Sequence, residues 1–124
     1  MKFPEIVSVI DDEGTVRRAT SSLLRSLGFE VRTFASAEEF LQIGDATRCL
    51  CIISDVHMPG MSGIDLYERL RSQNVETPVI FITSFAEKAV RARVGEDVCI
   101  LQKPFRADAL VSCIASAKAS RSQE

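Results

Sequence analysis

Short apolar runs alternate with amphipathic stretches along the whole chain, and polar residues collect where the apolar runs stop. Glu5 to Ile10 is rich in β-branched residues and predicts a buried strand, ending at Asp11-Asp12-Glu13-Gly14. A helix follows, with Val16, Thr20, Leu23, Leu24 and Leu27 on one stripe and Gly28 in a C-cap position. Phe29 to Phe34 is a second, weaker and alternating strand. Ser36 is placed to cap a helix from Ala37 to about Ile43, with Glu38 and Glu39 in the first turn, where the helix dipole favours acid. Leu50 to Ser54 predicts a third strand carrying Asp55 on its end. After a turn over Pro59–Gly63, a helix runs from Ile64 to about Arg71 on an apolar face of Ile64, Tyr67 and Leu70. Pro78 opens a fourth strand, Val79 to Ile82, which ends at Thr83-Ser84. Ala86 to Val94 is a poorly amphipathic helix with Ala89 and Val90 as its apolar positions. Val98 to Leu101 is the fifth strand, ending at Gln102-Lys103-Pro104. The last helix carries Ala107, Leu110, Val111, Ile114 and Ala115 and is expected to fray from Ser116, leaving residues 117–124 as a polar tail or the start of a linker.

The order is (βα) repeated five times, and the strands are nearly continuous in apolar residues. Strands of that kind are buried on both faces, which predicts an α/β fold: a five-stranded parallel, doubly wound sheet with helices on both sides. Residues 1–124 read as one domain. The hydrophobic fraction of 46% and the charged fraction of 26% fit a globular protein, and a net charge of −2 argues against nucleic-acid contact by this domain. No apolar run approaches the roughly 18 residues of a membrane span, and the N-terminus lacks a signal peptide's apolar core, so the chain reads as cytoplasmic. The 4 cysteines fit neither a CxxC pair nor a zinc spacing. Cys49 and Cys51, two apart on a strand-like run, are expected to share a face as small reduced hydrophobes.

In an open parallel sheet, ligands bind outside the carboxyl ends of the strands. Strands one, three, four and five end there in Asp11/Asp12, Asp55, Thr83/Ser84 and Lys103, whereas strand two ends in Thr33-Phe34. Clustered carboxylates about 4 Å apart repel by about 4 kcal/mol per pair at an effective dielectric of 20. A lysine, a hard divalent cation or both must offset this. Mg²⁺ suits oxygen ligands and phosphate. A carboxylate, a cation, a hydroxyl and a lysine together suit phosphoryl transfer, with a carboxylate nucleophile giving an acyl phosphate. Two other readings compete. Asp11-Asp12-Glu13 also reads as an acidic helix start with Asp12 as cap. Val9 to Thr15 faintly resembles the Asp-x-Asp-Gly-Thr of haloacid-dehalogenase-type phosphatases, with Asp11 as nucleophile. Against that, the second acid is Glu13, no late acidic pair follows Lys103, and the Asp55–Gly63 loop goes unexplained.

Taken together, Asp11-Asp12, Asp55-Val-His-Met-Pro-Gly-Met-Ser-Gly63, Thr83 and Lys103-Pro104-Phe105 resemble the receiver domain of two-component response regulators, in order and spacing over essentially the whole chain. The likeness is greatest to receivers of nitrogen-fixation and nitrate regulators. It implies the flavodoxin-like fold and a signalling domain rather than a conventional enzyme. Asp55 would accept a phosphoryl group from the phosphohistidine of a histidine kinase and lose it slowly by autodephosphorylation. Asp12, Asp55 and the main-chain carbonyl of His57 would bind Mg²⁺, with Asp11 acting through a water. Lys103 would pair with one phosphoryl oxygen and Thr83 would hydrogen-bond another, and a cis peptide is expected at Lys103–Pro104. One departure stands out: the aromatic that many receivers carry three residues before the lysine is here Ile100. Phe85 is placed to shield the acyl phosphate from water. The 86–115 face, with Arg91, Arg93, Asp97, Arg106 and Asp108, is charged enough for a phosphorylation-dependent homodimer or a transient partner. Relatives of this kind often carry a DNA-binding helix-turn-helix after such a tail.

Overall fold

All five strands run parallel in one sheet of order β2-β1-β3-β4-β5: β1 Ile6–Ile10, β2 Glu30–Phe34, β3 Cys51–Asp55, β4 Val79–Thr83 and β5 Ile100–Gln102. The structure is a computed structural model and describes residues 6–84 and 87–122. The helices are α1 Gly14–Ser26, α2 Ala37–Ile43, α3 Gly63–Ser72, α4 Glu87–Val94 and α5 Ala107–Ser122, with a 3-10 turn over Ala46–Arg48. The expected helix start at Ala86 and the expected shield Phe85 lie outside the described residues.

Two apolar clusters form, one on each side of the sheet. Alternate strand residues Ile10, Ile52 and Phe81 pack with Phe40, Leu66, Leu70 and Val90 from α2, α3 and α4. The intervening residues Val7, Val9, Cys51, Ile53 and Ile80 pack with Leu24 of α1 and Leu110, Cys113, Ile114 and Ala117 of α5. Each fully buried large aliphatic contributes about 1.5–3 kcal/mol. Burial on both faces fixes the register, so that Ile10 lies beside Ser54, Asp55 beside Ile82 and Thr83 beside Gln102.

Several expectations need correction. Cys49 and Cys51 do not share a face. Strand β3 begins at Cys51, while Cys49 follows the 3-10 turn, meets Ser8 Oγ at 3.0 Å and joins the opposite cluster. Helix α5 does not fray at Ser116. It continues to Ser122 and buries Ala117, because its inward stripe is Leu110, Cys113, Ile114 and Ala117 while Val111 is 43% exposed and Ala115 is exposed. Leu27 lies past the end of α1 and is 46% exposed, and only Val90 of α4 is fully buried, with Ala89 outside. β5 sits two residues later than expected at its start. Ile100 is buried in the cluster with Phe81 and Val90.

Candidate functional site

Strands β1 and β3 are neighbours, yet the chain leaves β1 for β2 on one side and reaches β3 on the other. In an open α/β sheet such a reversal opens a crevice at the carboxyl ends of the strands, and here the two strand ends carry Asp11 and Asp55. Asp11 is 3% exposed and Asp55 7%; Asp12 points to solvent. One carboxylate oxygen from each of Asp11, Asp12 and Asp55 lies within 4.8 Å of the others.

Lys103 reaches the same point from the end of β5. Its Nζ lies 3.3 Å from Asp55 Oδ2, 3.8 Å from Asp11 Oδ2 and 3.9 Å from Glu13 Oε1. Its main-chain N–H donates to the Thr83 carbonyl at 2.7 Å, so the lysine and the fully buried Thr83 are fixed to one another through the ladder. The Lys103–Pro104 peptide is cis, as expected. His57 is exposed on the loop after β3. Asp12 does not cap α1. The Ncap is Glu13, whose side chain makes no capping bond, and its amide donates to Asp11 Oδ1 at 2.9 Å. Burial pushes the Asp11 carboxyl above the usual aspartate range; the Glu13 amide opposes this, Asp55 adds to it, and Lys103 opposes it.

The loop leaving Asp55 is held on several sides. Val56 N–H donates to the Ile82 carbonyl and Gly63 N–H to the Val56 carbonyl. A Cβ on Gly63 would strike the Asp55 carbonyl, which also accepts from Ser54 Oγ at 2.9 Å. Ser62 and Asp65 form a reciprocal capping box at the start of α3. From α2, Glu38 Oε2 accepts the Met61 N–H at 2.9 Å.

The structure therefore brings Asp11, Asp12, Asp55, Lys103 and Thr83 to one rim, with His57 on the adjoining loop. Sequence reasoning missed Glu13 as a further carboxylate beside Lys103. It gave Glu38 only a helix-dipole role, and it passed over the Ser-x-x-Asp signature at Ser62, which was legible.

A family model described as the response regulator receiver domain matches residues 7–115. The chain belongs to the response regulator receiver family. Among curated relatives of the receiver, Nodulation protein W of Bradyrhizobium diazoefficiens is 41% identical over 116 residues, covering 90% of this chain and 50% of that protein. Response regulator protein TodT of Pseudomonas putida is 38% identical over 114 residues, covering 90% of this chain and 50% of the relative. Transcriptional regulatory protein FixJ of Bradyrhizobium diazoefficiens is 37% identical over 113 residues, covering 90% and 55%. Among solved structures, response regulator StyR superposes with a TM-score of 0.83 at 38% identity, covering 97% of this chain and 63% of that one. FixJ-N superposes with a TM-score of 0.80 at 31% identity, covering 93% and 94%. Relatives of comparable similarity carry different names, so membership is shown at the level of the receiver domain. The receiver spans about half the length of these curated relatives. Among the described residues no helix is long and apolar enough to cross a membrane.

Proposed function

We propose that the receiver is a phosphoacceptor: Asp55 takes a phosphoryl group from the phosphohistidine of a histidine kinase in a Mg²⁺-dependent step. The observation that carries this reading is the gathering of Asp11, Asp12, Asp55 and Lys103 at the β1/β3 crevice. Lys103 meets three carboxylates there, Asp11, Glu13 and Asp55; Asp12 lies within the same acidic cluster, and the donors are all hard oxygens. That set fits Mg²⁺, which Asp12, Asp55 and the His57 carbonyl would hold, with Asp11 acting through a water. The ion, when bound, neutralises phosphoryl charge and orients the donor.

The rest belongs to the chain's own residues. An Asp55 carboxylate oxygen forms the new bond to phosphorus as the phosphorus–imidazole bond breaks, and the electron pair of that bond leaves with the imidazole. Lys103, already 3.3 Å from Asp55 Oδ2, balances the charge on a phosphoryl oxygen. The Thr83 hydroxyl donates to another. Water attack on the acyl phosphate then returns Asp55 slowly to its free form, which is self-limiting signalling chemistry rather than turnover. Residues 1–124 act as one receiver unit, in the cytoplasm. Its output passes through the 86–115 face to a second copy or a transient partner, without direct contact between this domain and nucleic acid. The switched face controls a partner or an effector, and transcription is the proposed output, as the printed name of the relative FixJ suggests.

Labelling with acetyl phosphate and Mg²⁺ tests the reading. One phosphoryl adduct is expected, lost in Asp55→Asn. An adduct lost only in Asp11→Asn, with continuous release of phosphate, would favour the phosphatase chemistry instead, and no adduct at all would leave a partner-binding pseudo-receiver.

A further inference from the structure

The loop from Asp55 to α3 carries His57, and its two ends are anchored in different ways. The near end is stitched to β4 through Val56 and sinks Met58 into the core. The far end is set by the Ser62–Asp65 capping box and the close seat of Gly63 on the Asp55 carbonyl. Between them lie Pro59, which has no N–H to give, and Gly60, at a φ of +77°. This middle stretch is reached from outside the loop. Glu38, in the first turn of α2 and 23 residues earlier in the chain, accepts the Met61 N–H at 2.9 Å. A Cβ on Gly60 would occupy the place of the Glu38 carboxylate, so the glycine serves both the positive φ and the approach of that side chain. Met61 holds the Glu38 carboxyl below the usual glutamate range, as a charge-assisted bond should. Helix α2 is a firm base for such a grip. Ala37 and Phe40 are buried, and Phe40 meets Phe34 of β2 edge to face with ring centres 5.1 Å apart.

We infer that Glu38 is a positioning residue for the metal site: from α2 it holds the middle of the loop and so fixes where the His57 carbonyl sits relative to Asp55. The inference rests on the Mg²⁺ reading above. Its neighbour Glu39 supplies an internal control. Glu39 Oε2 accepts the Ala35 N–H at 2.6 Å, a bond local to the start of α2 that does not touch the loop.

The test is titration of the uniformly ¹⁵N-labelled receiver with Mg²⁺ alone, in parallel with Glu38→Ala, Glu38→Gln and Glu39→Ala. Supporting residues of this kind typically alter metal affinity by tenfold or more, and for an exposed one the low end, about tenfold weaker Mg²⁺ binding in Glu38→Ala, is expected. The Met61 amide resonance should move upfield in that variant before any metal is added. Glu38→Gln, whose amide oxygen can accept the same bond, should restore most of both effects. Glu39→Ala should lower stability and leave Mg²⁺ affinity as it was. Unchanged Mg²⁺ affinity in Glu38→Ala, or equal weakening in Glu39→Ala, overturns the inference. Failure of the unsubstituted receiver to bind Mg²⁺ would sink the metal reading instead; the Met61 resonance, read without metal, would still decide whether Glu38 grips the loop, and an unmoved resonance would show that it does not.

Discussion

Replacing Asp11 by Asn should stabilise the metal-free receiver, although it removes a charge that lies 3.8 Å from Lys103. At an effective dielectric of about 20, the attraction to Lys103 is about 4 kcal/mol, and repulsion from Asp55 at the 4.8 Å limit of the cluster is about 3.5 kcal/mol. Asp12 is exposed, and solvent reduces its repulsion to roughly 1 kcal/mol. These contributions nearly cancel. What remains is the cost of keeping a 3%-exposed carboxylate ionised, several kcal/mol in a protein interior, less the charge-assisted share of the Glu13 amide bond, which an Asn oxygen would keep in weaker form. The expected gain is about 2 kcal/mol, or roughly 8 °C in Tm for a chain of this size. Urea unfolding with a chelator present measures it. The raised carboxyl of Asp11 gives this site a pH dependence of its own. Between the usual aspartate value and the higher folded one, the native state binds more protons than the unfolded state. The Asp11 contribution to the stability of the parent therefore falls as pH rises through that window, and Asp11→Asn loses this component. Saturating Mg²⁺ should shrink the difference, because the ion stabilises whichever chain binds it more tightly. A destabilised Asp11→Asn without metal would refute the account of the cluster as electrostatically strained.

Lys103→Met removes the cation that competes for the same carboxylates, so Mg²⁺ should bind more tightly, by about tenfold if even 1.4 kcal/mol of that competition is relieved; calorimetric titration reads it, and weaker binding would count against the shared site. Gly63→Ala places a methyl against the Asp55 carbonyl in a buried spot, and urea unfolding should report a loss of about 1–3 kcal/mol; a neutral substitution would mean that the loop yields more readily than its anchors suggest.

The sheet was legible because β1, β3 and β4 are apolar almost throughout, and such runs admit few other fates than burial on both faces. The rim followed from it. Once five parallel strands are accepted, Asp11, Asp55, Thr83 and Lys103 have no other edge to occupy. The phase of α5 was harder to read. Alanine, serine and valine are spread around that helix, so the pattern does not choose between the Val111 side and the Cys113 side, and packing on the sheet decides it. The Cys49–Cys51 error has a related source: a shared face holds only within a strand, and the ladder begins after Cys49. The loop contact of Glu38 left no trace. Its bond to Met61 spans 23 residues, and no local rule connects them.

The register of β1 against β3 has a further consequence. Ile10 and Ser54 pair immediately before Asp11 and Asp55, so the main chain at the two acids is held by the central strands of the sheet. Their mutual repulsion is thus carried by the cooperative unit of the whole domain rather than by a local opening. A cation that relieves it should slow hydrogen exchange at amides deep in β1 and β3, far from the crevice, and occupancy of the rim becomes readable in the slowest-exchanging protons of the core.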